Sequence, residues 1–309
     1  MNRFFVLLAA IVVPVGALAS FELVLVADST TGKVHRFDGD TGASLGAFGQ
    51  GEVSNSTEIA VDAVRNTCYL RVNLSTYRYN FNTGEYLGAI SLSGTGISVG
   101  TDGSLYTWSS TTIRRYNSSG VLQESWAAPG GTFTSTTAQL GNGFVYAAHT
   151  ATNGAKSFAY FKPGSGTVNL EAALADSVTT IRGLSGLGNR LFFGGAIPGL
   201  EFAANWTMAP TGTFESNRDV AGAGLLIQSV KDTAPAHNGR YFGVGQDLTN
   251  PANGLVVRYD DLDFVNRGSF GSSVLKTPVS IASVVAPEPG TMIALSLAFA
   301  AICRRKRGS

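Results

Sequence analysis

The sequence predicts an all-β chain whose body is a six-bladed β-propeller closed by a C-terminal strand. Three observations lead there. Strand–turn–strand segments of like pattern recur every 37 to 53 residues, counted from Phe37 through Tyr79, Tyr116, Phe161, Trp206 and Tyr259, a spacing suited to four strands per repeat. The apolar run 22–28 reads as a second strand with no first strand ahead of it, and the run 278–286 is left over at the other end. Glycine is abundant, 38 of 309 residues, while charged residues make up only 14%. That composition suits many short strands joined by tight turns.

Each repeat is expected to hold two hairpins. The second hairpins are the segments 33–48, 76–90 and 112–126, with less regular versions at 157–170, 200–216 and 254–270. The first three share a basic–aromatic pair (Arg36-Phe37, Arg78-Tyr79, Arg115-Tyr116) ahead of a turn led by Asp or Asn. Gly42, Gly84 and Gly120 occupy one place in those turns, where a positive φ is expected. The hairpins that precede them turn near Arg65-Asn66, Asp102-Gly103, Asn142-Gly143, Gly188-Asn189 and Asn238-Gly239, in segments 59–72, 97–109, 140–149, 184–195 and 225–245. Pairing 278–286 with 22–48 completes a sixth blade and removes the open sheet edges. About 267 residues over six blades is about 44 each, within the usual repeat length. A seven-bladed ring is the alternative if 220–253 holds further strands. A two-sheet sandwich accounts for the strands but not for the period or the orphan ends.

Both ends of the chain read as signals. Residues 1–19 have the parts of a secretory signal peptide: Arg3, an apolar run from Phe4 to Val13, and small residues Ala17 and Ala19 before the expected cut. Ten apolar residues are too few for a permanent span. Residues 287–309 begin Pro287-Glu288-Pro289, continue through an uncharged stretch, Thr291 to Cys303, and reach the basic cluster Arg304, Arg305, Lys306 and Arg307. A helix over the 13-residue stretch rises about 20 Å, short of a bilayer core unless the basic side chains snorkel and the bilayer thins. The cations would stay on the cytoplasmic side and leave the body, residues 20–286, outside.

This ending resembles the PEP-CTERM sorting signal of Gram-negative bacteria, with its Pro-Glu-Pro, apolar span and basic cluster in order. The resemblance covers about residues 286–307. It implies export across the inner membrane, a transient membrane anchor, and a transient encounter with an exosortase that recognises Pro287, Glu288 and Pro289. Release toward the cell surface or an exopolysaccharide matrix would follow. The body is similar to NHL-type six-bladed propellers in its order of first strand, Asp-Gly turn, second strand and arginine–aromatic–Asp, across about 20–286. That likeness implies a fold rather than a function.

Charge and cysteine usage narrow the function classes. Cuts after Ala19 and near Pro289 remove five basic residues and no acidic one, leaving 17 basic against 21 acidic, a formal −4. A nucleic-acid partner needs a basic surface, so none is expected. Cys68 lies in the body and Cys303 in the apolar stretch, so no disulfide is expected within the body. One cysteine with His35, His149 and His237 makes no zinc set, and no metal or cofactor is expected. Asp38-Gly39-Asp40-Thr41-Gly42 mimics the start of a calcium loop, but its twelfth position is Gly49, so a hairpin turn is the reading. Ser185 lacks the glycine spacing of a nucleophile elbow. Asp28, Asp62 and Asp102 recur at strand ends, where a pair could do acid–base work on a sugar but capping is the ordinary role. The arginine–aromatic pairs could stack on a ligand, with packing of the outer blade as the leading role. No catalytic residue is assigned.

The sequence-level expectation is therefore a surface- or matrix-associated binding module, contacting exopolysaccharide or matrix proteins through loops 231–239 and 246–254. The alternatives are an extracellular polysaccharide lyase, hydrolase or lactonase-like propeller enzyme, and a purely structural matrix component.

Overall fold

Among the described residues, 24 strands form six four-stranded sheets. The computed structural model describes residues 20–287, apart from 56, 172–173, 175–177, 198–199, 221–226, 237–239 and 261–265. The first blade takes β1 (Ser20–Asp28), β2 (Lys33–Asp38) and β3 (Ser44–Phe48). The second holds β4 (Glu58–Asp62), β5 (Thr67–Val72), β6 (Ser75–Asn80) and β7 (Tyr86–Ser91). The third holds β8 (Ser98–Val99), β9 (Leu105–Trp108), β10 (Thr112–Tyr116) and β11 (Leu122–Ala127). The fourth holds β12 (Gly131–Gln139), β13 (Val145–Ala151), β14 (Lys156–Phe161) and β15 (Val168–Leu170). The fifth holds β16 (Thr180–Leu187), β17 (Arg190–Ile197), β18 (Leu200–Met208) and β19 (Phe214–Val220). The sixth holds β20 (Ile227–Pro235), β21 (Arg240–Asp247), β22 (Gly254–Asp260) and β23 (Asn266–Phe270).

The last strand, β24 (Pro278–Pro287), returns to the first blade in the order β24-β1-β2-β3. Ser29 N donates to Thr277 O at 2.9 Å, so the end of β1 lies beside the start of β24 and the two run antiparallel. The ring is closed as the orphan strands predicted. The described part of 220–253 holds only β20 and β21, both already in the six-blade count, so the seven-blade alternative falls.

Burial explains why the second strand of each blade is the most apolar. Strand β5 is buried at five of its six positions, while the outer strand β7 has none buried. A middle strand is covered on both faces by the neighbouring blades and so reads as a continuous apolar run. The core clusters straddle blade boundaries accordingly. Tyr146 and Phe158 of the fourth blade meet Phe193 and Trp206 of the fifth, and Val24 and Phe37 of the first meet Phe242 and Phe270 of the sixth. Phe158 and Trp206 pack edge-to-face with centroids 5.0 Å apart, within the favoured range for aromatic pairs.

The outer hairpins fall where the repeat placed them. Gly42, Gly84 and Gly120 have φ of 77°, 79° and 85°. The reason is tertiary as well as local. A Cβ on Gly42 would lie 2.7 Å from Phe270 Cβ of the sixth blade, and one on Gly84 would lie 2.9 Å from Phe48 Cβ of the first. The Gly42 and Gly84 turns are thus cut to fit the aromatic that ends the preceding blade, whereas a Cβ on Gly120 would meet Leu92 and Ile90 at 3.5 Å or more.

Two sequence expectations are corrected. The first strand of the fourth blade is β12, Gly131–Gln139, upstream of the segment 140–149 assigned to that hairpin. Its sequence, GTFTSTTAQ, carries hydroxyls instead of an apolar run. The contact loop expected at 231–239 is strand as far as Pro235, because Asp232 is bonded into the inner wall of the ring. Only 248–253 separates β21 from β22. Successive turns of an antiparallel meander also lie at opposite ends of the sheet, so these two segments do not make one surface. Ala17, Ala19, Glu288, Pro289, Arg304, Arg305, Lys306, Arg307 and the 291–303 span lie outside the described residues, whereas Pro287 is the last residue of β24.

Candidate functional site

The inner strands of all six blades line a central channel of about 230 Å³. Its wall is built from β4, β8, β12, β16, β20 and β24, including Glu58, Ser98, Gln139, Ser185, Asp232 and Ser283. Aligned on the wall, five of these strands share a small residue two places after a variable one: Ser280-Ile281-Ala282, Glu58-Ile59-Ala60, Gly96-Ile97-Ser98, Gly183-Leu184-Ser185 and Asp232-Thr233-Ala234.

The variable residue reaches the next blade. Asp232 Oδ2 accepts from Ile281 N at 3.0 Å and from Ser280 Oγ at 2.6 Å. Ser280 Oγ in turn accepts from Ile59 N at 3.2 Å, and Glu58 Oε2 accepts from Ile97 N at 3.1 Å. One side-chain acceptor thus takes one inner-strand amide three times, from the sixth blade through the first and second to the third. Further round, the Ser98 and Thr137 hydroxyls bond, and Ser185 Oγ lies 3.4 Å from Thr233 Oγ1. An inner strand has no sheet partner on its channel side, so these acceptors satisfy amides that would otherwise be orphaned. The glycines belong to the same scheme. A Cβ on Gly183 would meet the Asp232 carboxylate, and one on Gly96 would meet both Glu58 and the Trp108 indole.

Burial pushes the Asp232 carboxyl up to about 6, against the pull of its bonds from Ser280, Ile281 and Thr233. Arg71, fully buried, stands across the ladder from Glu58. It donates to Leu74 O at 2.9 Å, Thr76 Oγ1 at 2.8 Å and Leu92 O at 3.0 Å, and also to Gly94 O. Glu58 and Arg71 together hold the crossover from the second blade to the third.

Of the three aspartates singled out in the sequence, Asp28 stands apart, whereas the Asp62 and Asp102 turns of adjacent blades both face Arg65. Asp28 ends β1, on the face of the ring where crossovers run. It accepts from Thr30 N and Thr31 N through Oδ1, and from Lys276 N (2.6 Å) and Thr277 N (2.8 Å) through Oδ2. It is the clasp at the start of the closing strand. Asp62 and Asp102 lie at the other end of their blades. Asp62 caps its turn through Arg65 N at 3.1 Å and pairs with Arg65 Nη1 at 2.6 Å. Asp102 pairs with Arg115 Nη2 at 2.7 Å and accepts from Ser104 N. Although burial works the other way, the bonds from Ser104 and Arg115 hold its carboxyl below the usual range.

The remaining candidates have structural partners. Asp38 Oδ1 accepts from Asp40 N and Thr41 N, making an Asx turn of the Asp38–Gly42 segment. His35 Nε2 lies 2.9 Å from Thr31 Oγ1, and His149 Nδ1 lies 3.2 Å from Ser157 Oγ. Burial lowers the pKa of both; His237 lies outside the described residues. Ser185 is in the middle of a strand, with no helix after it. No cluster of three or more His, Cys, Asp or Glu suited to a metal occurs among the described residues.

Of the three arginine–aromatic pairs, only Arg36-Phe37 latches its blade to the next, as the equivalent Arg258 does in the sixth blade. Arg36 Nη1 donates to Asn82 O, while Arg258 Nη1 donates to Gly39 O at 3.2 Å and also to Asp40 O. Gly39–Asp40 and Asn82 occupy the same turn of successive blades, so both arginines cross to the blade that follows. Their guanidinium carbons stand 6.0 Å over Phe48 and 5.8 Å over Phe270. Gly46 and Gly268, ten residues after each arginine, take φ of 88° and 113° beside the guanidinium. Arg78 and Arg115 depart from this pattern: Arg78 Nη2 donates to Leu87 O at 3.0 Å, and Arg115 pairs with Asp102 and Glu124, each within its own blade.

No protein-family model and no curated protein matches the chain. Solved structures do. One from a nidogen/laminin complex matches with TM-score 0.64 and 14% identity over 85% of this chain and 98% of that one. Regucalcin from Agrobacterium tumefaciens, a calcium-binding protein, gives 0.56 and 13% over 75% and 79%. The periplasmic gluconolactonase of Pseudomonas aeruginosa gives 0.54 and 14% over 87% and 100%. At these identities the likeness is one of architecture, and the chain is a six-bladed β-propeller.

Proposed function

We propose that the chain is an exported propeller, sorted through its C-terminal segment by an exosortase, that works at the cell surface or in the extracellular matrix as a binding module. The observation that carries the binding role is the commitment of the carboxylates. Asp28, Asp232 and Glu58 hold inner-wall or closing-strand amides, while Asp62 and Asp102 hold turns and arginines. A group fixed in that way stabilises the ring, and its removal as a proton donor or acceptor would loosen the scaffold. A rigid ring with exposed loops is suited to presentation.

Mass spectrometry of surface-released protein tests the sorting part. The expected chain ends near Pro289 and lacks Arg304 to Arg307. Intact protein retained solely in the inner membrane would count against it.

A second reading is a lactonase-like enzyme. It is favoured by Glu58 and Asp232 lining one channel and by the gluconolactonase among the structural neighbours. Gluconolactone hydrolysis that disappears in Glu58→Gln and Asp232→Asn variants with intact folding would establish it. The earlier candidates Asp62 and Asp102 belong in the same assay. A purely structural role predicts blank glycan-array and pull-down experiments under calcium-replete conditions.

A further inference from the structure

We infer that Asn153 is a site of spontaneous deamidation, where the chain converts its own asparagine to aspartate and isoaspartate, and that Asn142, in an equivalent turn of the same blade, is held against that reaction. The inference does not depend on what the ring binds. Asparagine followed by glycine lets the next backbone amide reach the side-chain carbonyl, because no Cβ stands in the way. The Gly154 N–H gives its proton to water, and the nitrogen lone pair forms a bond to Asn153 Cγ. The carboxamide nitrogen takes up a proton and leaves as ammonia when its bond to Cγ breaks, which closes a succinimide ring. Water then opens the ring at Cγ, giving aspartate, or at the main-chain carbonyl, giving isoaspartate. The net change is one water consumed and one ammonia released.

Two hairpins of the fourth blade supply a matched comparison, 140–144 between β12 and β13 and 152–155 between β13 and β14. In each, the glycine amide donates to the carbonyl three residues back, Gly143 N to Leu140 O and Gly154 N to Ala151 O, both at 2.9 Å. In each, the asparagine Oδ1 accepts from the amide two residues on, Phe144 N at 3.0 Å and Ala155 N at 3.1 Å. That bond polarises the carbonyl under attack and helps to carry the charge of the tetrahedral intermediate. The glycine φ values are 83° and 88°. The turns differ at the leaving group. Asn142 Nδ2 donates to Ala209 O at 3.0 Å and to Tyr146 Oη at 3.2 Å, and Tyr146 Oη donates in turn to Gly212 O at 2.9 Å, so this carboxamide is pinned to the fifth blade. Asn153 Nδ2 donates to no described residue. Thr152, Asn153 and Gly154 are all exposed, and a Cβ on Gly154 would meet nothing within 4 Å. Water can replace the Gly154–Ala151 bond at this hairpin tip, whereas freeing Asn142 parts two blades. Asn253-Gly254 is protected in another way. Gly254 is buried, its amide donates to Leu275 O at 2.9 Å, and a Cβ there would collide with the Pro278 ring. Asn238-Gly239 lies outside the described residues.

The test ages the purified full chain natively and in urea, at one pH and temperature. Heavy-oxygen water is used, so that only carboxylates made during the incubation carry the label. Chymotryptic cleavage after Phe144 or Tyr146 separates Asn142 from Asn153, and mass spectrometry reads each peptide. A protein isoaspartate methyltransferase reads the isoaspartate. In urea the local sequence alone sets the rates, and the two sites should agree within about threefold. In the native chain Asn153 should react at least about tenfold faster than Asn142 or Asn253, with isoaspartate among its products. Asn153→Gln should abolish labelling at that position and leave the other sites unchanged, because attack would have to close a larger ring. Equal native rates at Asn142 and Asn153, a faster rate at Asn142, or an unlabelled Asn153 in a native sample whose urea counterpart is labelled would each overturn the inference. Tyr146→Phe tests the clamp, since it keeps the aromatic ring and takes away one of the two Nδ2 acceptors. The Asn142 rate should then rise at least about twofold relative to that of Asn153, and an unchanged ratio would overturn the clamp.

Discussion

Replacing Asp28 with alanine tests how the ring is held shut. The side chain is fully buried and accepts four backbone amides, two from its own turn and two from Lys276 and Thr277 at the start of β24. A hydrogen bond to a charged group contributes about 1.5–3 kcal/mol. Bonds sharing one carboxylate do not add in full, and water can enter to meet some of the freed amides. A loss of about 4–6 kcal/mol follows for Asp28→Ala, a large part of the about 5–15 kcal/mol that holds a typical domain together. Asp28→Asn keeps one carbonyl oxygen, and its loss is expected at about half that value.

Urea denaturation gives the total effect. Hydrogen exchange gives its location, because the amides of 276–281 should lose protection before those of β13 or β17 do. A change below about 1 kcal/mol in Asp28→Ala, or unaltered exchange in 276–281, would refute the clasp.

Three further outcomes follow from the same geometry. Asp232 has its folded pKa raised from 3.8 to about 6 by burial. Its contribution to stability is therefore fullest below pH 4 and declines as pH rises through 6, by about 3 kcal/mol at most; urea midpoints from pH 4 to 8 should lose this component in Asp232→Asn, and identical profiles would contradict it. Gly96→Ala drives a methyl into Glu58 and Trp108 and should cost about 1–3 kcal/mol, read as a lower thermal midpoint, while a midpoint equal to wild type would mean that the inner wall yields easily. Arg258→Ala removes the bonds to Gly39 O and Asp40 O and the stack on Phe270, an expected loss of about 1–2 kcal/mol; Arg258→Lys should recover little of it, since lysine lacks the planar fork, and full recovery would assign the effect to charge alone.

What the sequence disclosed and what it hid have one physical cause, the number of neighbours each strand has. The outer hairpins were legible because their demands are local. A turn led by Asp38, Asn80 or Asn117 needs a short polar side chain to cap it and a residue at positive φ to finish it, so the signal lies within a few residues. Middle strands were legible as well, since cover on both faces leaves an unbroken apolar run. The inner strands have one side against the channel and reach their partners in other blades, so GTFTSTTAQ did not read as the strand that it is. Asp232 was hidden for the same reason. Its partners Ser280 and Ile281 are 48 and 49 residues away, and without them Lys231-Asp232-Thr233 resembles a loop.

A signal was nevertheless present. When five of the six inner strands are aligned on the small residue of the wall, Glu58 and Asp232 fall in the same column as Gly96, Gly183 and Ser280. That column is informative because the ring makes its members neighbours. A carboxylate that crosses to the next blade requires a small residue or a donor beside it, and Gly96 beside Glu58, or Ser280 beside Asp232, meets the need. A repeat protein thus records tertiary contacts as differences between equivalent positions. The five inner strands of that column differ at it, and at Glu58–Gly96, Asp232–Ser280 and Asp232–Gly183 the differing residues are neighbours across blades. Exchanging Glu58 with Gly96, as the paired substitution Glu58→Gly and Gly96→Glu, should therefore destabilise the ring more than Glu58→Gly alone, with the difference read in the urea midpoint. Equal midpoints would mean that the column reflects composition and not contact.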